Sequence, residues 1–153
     1  MKIASLVHRD VATCTIHDDL ARAAQLMWDR DLGCLPVIDD QGHVAGMITD
    51  RDICMAAYTR GEPLRAIPIS AAMSSRVISC TADDAVADVE RTMAAHQIRR
   101  MPVINGQNHP VGFISLNDLA RAAAPNGSVA PEELVAAMAA ICAPRAAIKT
   151  ARA

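Results

Sequence analysis

The sequence contains Gly46-Met47-Ile48-Thr49-Asp50-Arg51-Asp52 and, further along, Gly112-Phe113-Ile114-Ser115-Leu116-Asn117-Asp118. Both stretches follow one order: a glycine, an apolar residue, an isoleucine, a hydroxyl residue and, three positions later, an aspartate. An apolar run is typical of a buried strand, and a hydroxyl residue followed by a carboxylate three positions later is typical of the start of a helix. Each stretch therefore predicts a strand that leads directly into a helix.

The two stretches belong to a longer internal repeat. Residues 11–57 align without a gap with residues 77–123, and the identical pairs include Cys14/Cys80, Thr15/Thr81, Asp18/Asp84, Met27/Met93, Pro36/Pro102, Val37/Val103, Gly46/Gly112 and Asp52/Asp118. A long period that occurs only twice does not favour a solenoid, because a solenoid stacks several units to bury its core. We expect two pseudo-symmetric halves that pack face to face.

Each copy predicts the order strand, helix, strand, strand, helix. In the first copy, residues 11–14 form a short β-rich run, and Asp18 is predicted to cap a helix with apolar residues at helical spacing. Residues 35–38 and 44–48 predict a hairpin, because the turn between them is rich in Asp and Gly, and a second helix is expected from Asp52. In the second copy, Asp84 is predicted to cap the first helix.

A further helix is predicted after the second copy. Residues 60–63 link the copies, and residues 124–128 are expected to close the second one as a loop. Pro131 suits the first turn of a helix that extends to Cys142. The apolar stripe of this helix consists of Leu134, Val135, Met138 and Ile141. The stripe would pack either on its own domain or on a partner. The basic remainder is expected to be a frayed tail and contains Arg145, Lys149 and Arg152.

Composition predicts a single soluble domain. The chain has 153 residues, of which 52% are hydrophobic, and its net charge is -2. This length is sufficient for one continuous core but not for a catalytic domain with a separate regulatory one. The apolar runs are too short to cross a bilayer, and the start of the chain lacks the long apolar region of a signal peptide. We therefore expect a cytoplasmic protein.

Cysteine, histidine and aromatic content argue against metal and nucleic-acid sites. The five cysteines are spread along the chain without a Cys-x-x-Cys pair, so buried free thiols are expected. The five histidines show no metal-ligand spacing, and no metal is expected. Acids and bases are interspersed, and there is only one Trp, one Tyr and one Phe, so no nucleic-acid partner is expected.

The repeated Gly-x-x-[Ser/Thr]-x-x-Asp order allows two interpretations. Thr49 and Ser115 can be helix N-caps that Asp52 and Asp118 complete. Alternatively, the order describes a ribose site, because a glycine lets a flat ring approach the strand and a carboxylate accepts hydrogen bonds from two vicinal hydroxyls. One copy alone favours the cap, whereas the duplication and the preceding glycine favour the ribose site.

The ordered set of motifs resembles a known family. Residues 77–81 open the second copy as Val-Ile-Ser-Cys-Thr, residues 99–104 read Arg-Arg-Met-Pro-Val-Ile, and the glycine-to-aspartate element ends the copy. This arrangement is similar to the CBS repeat of IMP dehydrogenase and of the gamma subunit of AMP-activated kinase, over about residues 2–123. The resemblance implies an α+β fold of two pseudo-symmetric repeats packed through their sheets, plus a C-terminal helix. Its predicted divisions are residues 1–64, 65–124 and 125–153.

The resemblance also implies an adenosine site in each of two clefts. In the first cleft, Asp52 would bind the ribose hydroxyls, Thr49 would supply a hydroxyl and Met47 would contact the adenine. Ile78 would close this cleft from the second repeat, and Arg99 and Arg100 would contact the phosphate. The second cleft would use Asp118, Ser115, Phe113 and, from the first repeat, Ala12, Thr13, Gly33 and Cys34. Guanidinium groups suit phosphate, so the first cleft is predicted to prefer phosphorylated adenosine.

The resulting prediction is a non-catalytic regulatory module. It would bind AMP, ADP, ATP or S-adenosylmethionine, form a homodimer and signal energy status to an unidentified client protein. The alternative is a structural dimerisation module that has no physiological nucleotide. An enzyme is not expected, because the sequence offers only His-Asp neighbours such as His17-Asp18 rather than a nucleophile with a base.

Overall fold

The computed structural model describes residues 1–123 and 129–144. The fold is α+β, with two repeats and a C-terminal helix. The elements of the first repeat are β1 (Cys14–Thr15), α1 (Leu20–Arg30), β2 (Cys34–Ile38), β3 (Val44–Thr49) and α2 (Asp50–Arg60). Those that follow are α3 (Val86–His96), β4 (Arg100–Ile104), β5 (Pro110–Ser115), α4 (Leu116–Ala122) and α5 (Pro131–Cys142). Short 3-10 helices cover Ile3–Ser5, Leu64–Ala66 and Ile69–Ala71. The predicted loop at residues 124–128 and the basic tail from Arg145 lie outside the described residues.

The two hairpins confirm the predicted pseudo-symmetry. β2 pairs antiparallel with β3, and β4 pairs antiparallel with β5. Gly46 lies opposite Val37, and Gly112 lies opposite Val103. In both hairpins the strand register shifts immediately after this valine. β1 joins β2 in parallel, whereas the equivalent strand of the second repeat is reduced to a single bridge between Cys80 and Val103.

The segment before each repeat packs on the other repeat. Ile3 is fully buried in the core of the second repeat, while Ile67 and Ile69 are fully buried in the core of the first. His8 pairs through its backbone with Phe113 of β5, and Ser74 forms the matching pair with Met47 of β3. The two halves are therefore interlocked, because the segment that precedes each repeat pairs with the edge strand of the other repeat.

The predicted caps of the first helices are wrong by one residue. The N-cap of α1 is Asp19, whose carboxylate accepts a hydrogen bond from the Arg22 amide at 2.8 Å. Asp18 instead accepts from the backbone and hydroxyl of Thr15, and this tight turn uses its carboxylate before the helix begins. Asp84 is likewise engaged by Thr81, and α3 begins after an alanine without a side-chain cap.

The helix α5 packs on its own domain, against α3 and α4. Its bounds agree with the prediction and Pro131 occupies its first turn, but the buried stripe consists of Leu134, Ala137 and Ile141. Val135 is 64% exposed and Met138 is also exposed, so the predicted stripe is wrong at these two positions. The face of α5 that packs on α3 and α4 therefore carries Leu134, Ala137 and Ile141, and Val135 and Met138 lie outside it.

The repeats also meet at the turns of their hairpins. The Val44 amide donates to the Asn108 carbonyl at 3.0 Å, and the Asn108 side chain donates back to the Val44 carbonyl. The rings of His43 and His109 stack with their centroids 5.1 Å apart. In the described parts of the chain, no helix is both long and apolar enough to cross a lipid bilayer.

A buried carboxyl between α3 and α5 makes stability depend on pH. Glu90 is 3% exposed, and its Oε1 atom has no hydrogen-bond partner among the described residues. Burial, and then the charge of Glu133, raise the pKa of Glu90. A raised pKa in the folded state contributes stability that is present in acid and is lost as the pH rises through that pKa.

We therefore expect Glu90→Gln to stabilise the protein at about pH 8, by on the order of 1 to 3 kcal/mol, because the amide carries no charge into the contact between α3 and α5. The gain should disappear at about pH 4, where the wild-type carboxyl is protonated. Urea unfolding at both pH values measures this difference. Glu133→Gln, at an exposed position, is the control and should give a smaller gain. An equal gain for Glu90→Gln at both pH values would contradict the explanation.

Candidate ligand site

The first candidate site lies where β3 passes into α2. The Thr49 hydroxyl accepts a hydrogen bond from the Asp52 amide at 3.1 Å and donates one to Asp52 Oδ2 at 2.7 Å. The Thr49 amide donates to the same Oδ2 atom at 3.0 Å. The N-cap interpretation is therefore confirmed, and α2 begins at Asp50, two residues before the predicted start. The cap also fixes the orientation of the Asp52 carboxylate.

The second candidate site repeats this cap where β5 passes into α4. The amide and the hydroxyl of Ser115 donate to Asp118 Oδ2 at 2.8 and 2.6 Å, and the Asp118 amide donates to the hydroxyl at 3.3 Å. The duplicated sequence order therefore produces the same local structure twice. In both caps the hydroxyl already donates its proton to the carboxylate. Each hydroxyl can therefore act towards a ligand chiefly as a hydrogen-bond acceptor.

The two carboxylates differ in their remaining oxygen atoms. Asp118 is 7% exposed, and its Oδ1 accepts hydrogen bonds from His8 Nε2 at 2.8 Å and from Arg121. Asp52 is only half-buried, and its Oδ1 has no partner in the described ranges. Asp52 can therefore accept a hydrogen bond from a ligand without losing one of its own.

The two strand glycines serve the chain itself. A Cβ atom at Gly46 would lie 2.7 Å from Met73 Sδ and 3.0 Å from the Ser74 carbonyl oxygen. A Cβ at Gly112 would collide with the Val7 side chain. The expectation that these glycines admit a flat ring is wrong, because the segment borrowed from the other repeat fills the space over each one.

Met47 and Phe113 sit at equivalent positions, opposite Pro36 and Pro102 in their ladders. Both side chains are half-buried. Their roles at an adenine ring stay predictions. Ile78 packs against the core of the second repeat, and Ala12 packs against that of the first.

The structure gives Arg99 and Arg100 different contacts. The Arg100 guanidinium reaches the first repeat. Two of its nitrogen atoms lie 3.1 and 3.2 Å from the point where a Cβ atom would stand if Gly33 carried a side chain. An Asp50 carboxylate oxygen lies 3.3 Å from the same position. Arg99 contributes its carbonyl to the Leu116 amide at 2.8 Å, and its side chain is exposed. Arg100 is therefore the arginine that the structure brings to the start of α2.

Arg100 also acts on a buried thiol. Burial raises the pKa of Cys34 to about 11, and the charge of Arg100 opposes this rise while that of Asp50 adds to it. Burial likewise raises the pKa of Cys14 to about 11 and that of Cys80 to about 12. All three thiols are protonated near neutral pH, so they are poor nucleophiles.

The cysteine prediction is only partly right. Cys14, Cys34 and Cys80 are buried free thiols as expected, whereas Cys54 and Cys142 are free but exposed. Cys54 lies on α2 and Cys142 ends α5, whereas Cys14 and Cys80 belong to the two hydrophobic cores. Among residues 1–123 and 129–144, no three His, Cys, Asp or Glu side chains are grouped to hold a metal ion.

Sequence reasoning did not find a groove between α1 and α2. Its volume is about 510 Å³ and its lining residues are Ala24, Met27, Trp28, Asp31, Leu32, Asp50 and Ile53. Trp28 is 87% exposed and Tyr58 of α2 is 82% exposed. The equivalent face of the second repeat is covered by α5. The available signal was the single Trp and the single Tyr, which both lie in the first repeat.

The fold and the paired sites define a tandem module of two pseudo-symmetric repeats, each with a capped aspartate at the end of a hairpin. The CBS domain family model matches residues 3–58 and 67–125. The chain therefore belongs to the CBS domain family, and it carries two copies of the domain.

Three known proteins illustrate the likeness. The CBS domain-containing protein YhcV of Bacillus subtilis is 38% identical over 110 residues, which cover 72% of this chain and 76% of that protein. The crystal structure of the CBS domain pair of protein MJ0100, in complex with 5′-methylthioadenosine and S-adenosyl-L-methionine, has a TM-score of 0.72 at 23% identity, covering 79% of this chain and 98% of that one. The structure of Hypoxic Response Protein I with two coordinated zinc ions has a TM-score of 0.71 at 28% identity, with the same coverage.

Proposed function

We propose that this chain is a non-catalytic regulatory module that binds an adenosine-containing ligand beside Asp52. The observation that carries the proposal is the Asp52 carboxylate, which the Thr49 cap holds in place while its Oδ1 stays without a partner among the described residues. The bound ligands of the MJ0100 pair, 5′-methylthioadenosine and S-adenosyl-L-methionine, support an adenosine as the recognised group.

The chemistry at Asp52 suits a ribose. A carboxylate accepts hydrogen bonds but donates none, so it matches hydroxyl groups and discriminates against a second acceptor. An oriented carboxylate also loses little conformational entropy when it binds. The guanidinium of Arg100 lies near Asp50, the first residue of the helix that carries Asp52, and can pair there with the phosphate of AMP, ADP or ATP.

Regulation would follow from the position of this site between the repeats. Arg100 belongs to the second repeat but lies against Gly33 of the first, so a ligand that recruits it links the two halves. The interlocked segments and the stacked histidines also cross between the repeats. A change in the packing of the repeats would alter the surface presented to a client protein. The repeat divisions at residues 1–64, 65–124 and 125–153, and the cytoplasmic location, stay predictions.

Thermal melting with AMP, ADP, ATP, S-adenosylmethionine and 5′-methylthioadenosine tests the proposal directly. A ligand that binds only the folded state stabilises it by about 2.7 kcal/mol at a concentration one hundred times its Kd. We expect at least one of these compounds to raise the Tm, while inorganic phosphate, which has no ribose for Asp52 to bind, should not. A set of unchanged midpoints would leave the proposal without support and favour the structural role.

A structural role as a homodimer is the second candidate, and the exposed face of α1 and α2 favours it. Trp28 on α1 and Tyr58 on α2 are both largely exposed, and aromatic residues are enriched at interfaces. The helix α5, which the sequence offered as a reason for dimerisation, packs on α3 and α4 instead. The dimer that we propose therefore forms through the first repeat.

We expect light scattering to give the mass of a dimer for the wild type and of a monomer for the double variant Trp28→Glu, Tyr58→Glu. A buried aromatic anchor contributes about 2 kcal/mol or more to an interface, and a carboxylate there would also lose its hydration. Val135→Glu places the same charge on exposed α5 and should leave the dimer intact. A wild-type monomer at micromolar concentration, or a double variant that remains dimeric, would contradict this interface.

A further inference from the structure

We infer that the chain binds one adenosine ligand, at Asp52, because its own residues His8 and Arg121 occupy the equivalent carboxylate, Asp118. This inference rests on the proposed function, since it assigns the number of ligands and their position. It differs from the symmetric expectation of one ligand in each cleft.

The first step is the full use of Asp118. Its Oδ2 accepts hydrogen bonds from the amide and the hydroxyl of Ser115, as Asp52 Oδ2 does from Thr49. Its Oδ1 accepts from His8 Nε2 and from Arg121, so both oxygen atoms of this carboxylate already have donors. To bind at Asp118, the neutral hydroxyls of a ribose would have to displace these two donors. Hydrogen bonds to a charged donor are stronger than those to a neutral one, so the exchange is unfavourable.

The second step is an internal comparison that the duplication supplies. Met55 is the counterpart of Arg121 in the repeat alignment. Ser74 is the counterpart of His8 at the same offset, and it pairs with Met47 as His8 pairs with Phe113. The Ser74 hydroxyl donates to the Arg76 carbonyl, and methionine has no donor at all. The same fold therefore presents one carboxylate with both oxygen atoms engaged and one with an oxygen atom available, and the difference comes from two side chains.

The third step is the anchoring of His8. Its amide donates to the Phe113 carbonyl at 3.2 Å, and its carbonyl accepts from the Phe113 amide at 2.9 Å. The preceding Val7 packs over Gly112. The backbone thus fixes the position of His8 beside Asp118, so only the torsions of the imidazole side chain remain to be ordered in the contact.

Exchange of these two residue pairs tests the inference. The double variant His8→Ser, Arg121→Met gives the second site the residues of the first, and Ser74→His, Met55→Arg does the reverse. Titration calorimetry with AMP, and separately with S-adenosylmethionine, should give one ligand per chain for the wild type. We expect two for His8→Ser, Arg121→Met, and for Ser74→His, Met55→Arg at least a tenfold loss of affinity at the remaining site.

Two results would overturn the inference. One is a wild type that binds two ligands per chain, and the other is an unchanged stoichiometry of one in His8→Ser, Arg121→Met despite a native circular dichroism spectrum. A wild type that binds neither probe would instead contradict the proposed function.

The contact itself can be measured without any ligand. The ¹⁵N chemical shifts of the His8 imidazole should report a proton on Nε2 in hydrogen-bond contact, and Asp118→Asn should change them. His96, an exposed histidine at the end of α3, is the internal control and should not respond. Equal His8 shifts in the wild type and in Asp118→Asn would refute the contact, whatever the calorimetry gives.

Discussion

Asp52→Ala should lower the affinity for the adenosine ligand by roughly 30- to 150-fold, which corresponds to about 2 to 3 kcal/mol. The loss is large because the carboxylate would accept hydrogen bonds from ribose hydroxyls in a half-buried site, and alanine can accept none. Titration calorimetry with whichever of AMP, ATP or S-adenosylmethionine raises the Tm measures the change directly.

The chain offers a matched control for this variant. Asp18 also accepts hydrogen bonds from the amide and hydroxyl of a threonine three residues earlier, but it lies in an exposed turn ahead of α1. Asp18→Ala removes the same kind of turn, at a cost of about 1 kcal/mol in stability, and should not change ligand affinity. If both variants bind the ligand like the wild type, the ribose role of Asp52 is wrong and only its role as a cap remains.

Much of the fold could be predicted because it depends on local patterns. The hairpins follow from short apolar runs joined by Asp- and Gly-rich turns, and α5 follows from Pro131 and the apolar residues after it. The gapless repeat then requires the second half to copy the first. These inferences need no knowledge of distant contacts, which explains why they agree with the structure.

The parts that could not be predicted depend on distant contacts or on competition between neighbours. Nothing near Ile3 in the sequence indicates that it is buried in the second repeat, or that Ile67 is buried in the first. At α1, two adjacent aspartates compete for the cap, and Thr15 decides the outcome by engaging Asp18. Composition likewise could not separate buried cysteines from exposed ones.

The candidate site shows the same division. The pairing of Thr49 with Asp52 is local and could be predicted as a cap. The contact between His8 and Asp118 joins residues at opposite ends of the chain, so the inequality of the two carboxylates became visible only in three dimensions. The sequence alone ranks the clefts by their arginines instead, and that ranking stays a prediction.

Arg100→Ala should lower the affinity for AMP or ATP by about tenfold or more, while adenosine binding barely changes. A guanidinium that pairs with a phosphate contributes roughly 1.5 to 3 kcal/mol, and a nucleoside cannot gain this contribution. The expected salt dependence of nucleotide binding should fall in the variant for the same reason. Calorimetry with AMP and adenosine at two salt concentrations measures both effects.

Arg99→Ala is the matched control, because both arginines are exposed but, of the two, Arg100 is the one whose guanidinium lies near Gly33 and Asp50. Asp50 sharpens the test, since its carboxylate lies beside the same guanidinium and would repel a phosphate. Asp50→Asn should therefore strengthen AMP binding and leave adenosine binding unaltered. If Arg100→Ala retains the wild-type preference for AMP over adenosine, Arg100 serves the contact between the repeats, and phosphate recognition must be assigned to other residues.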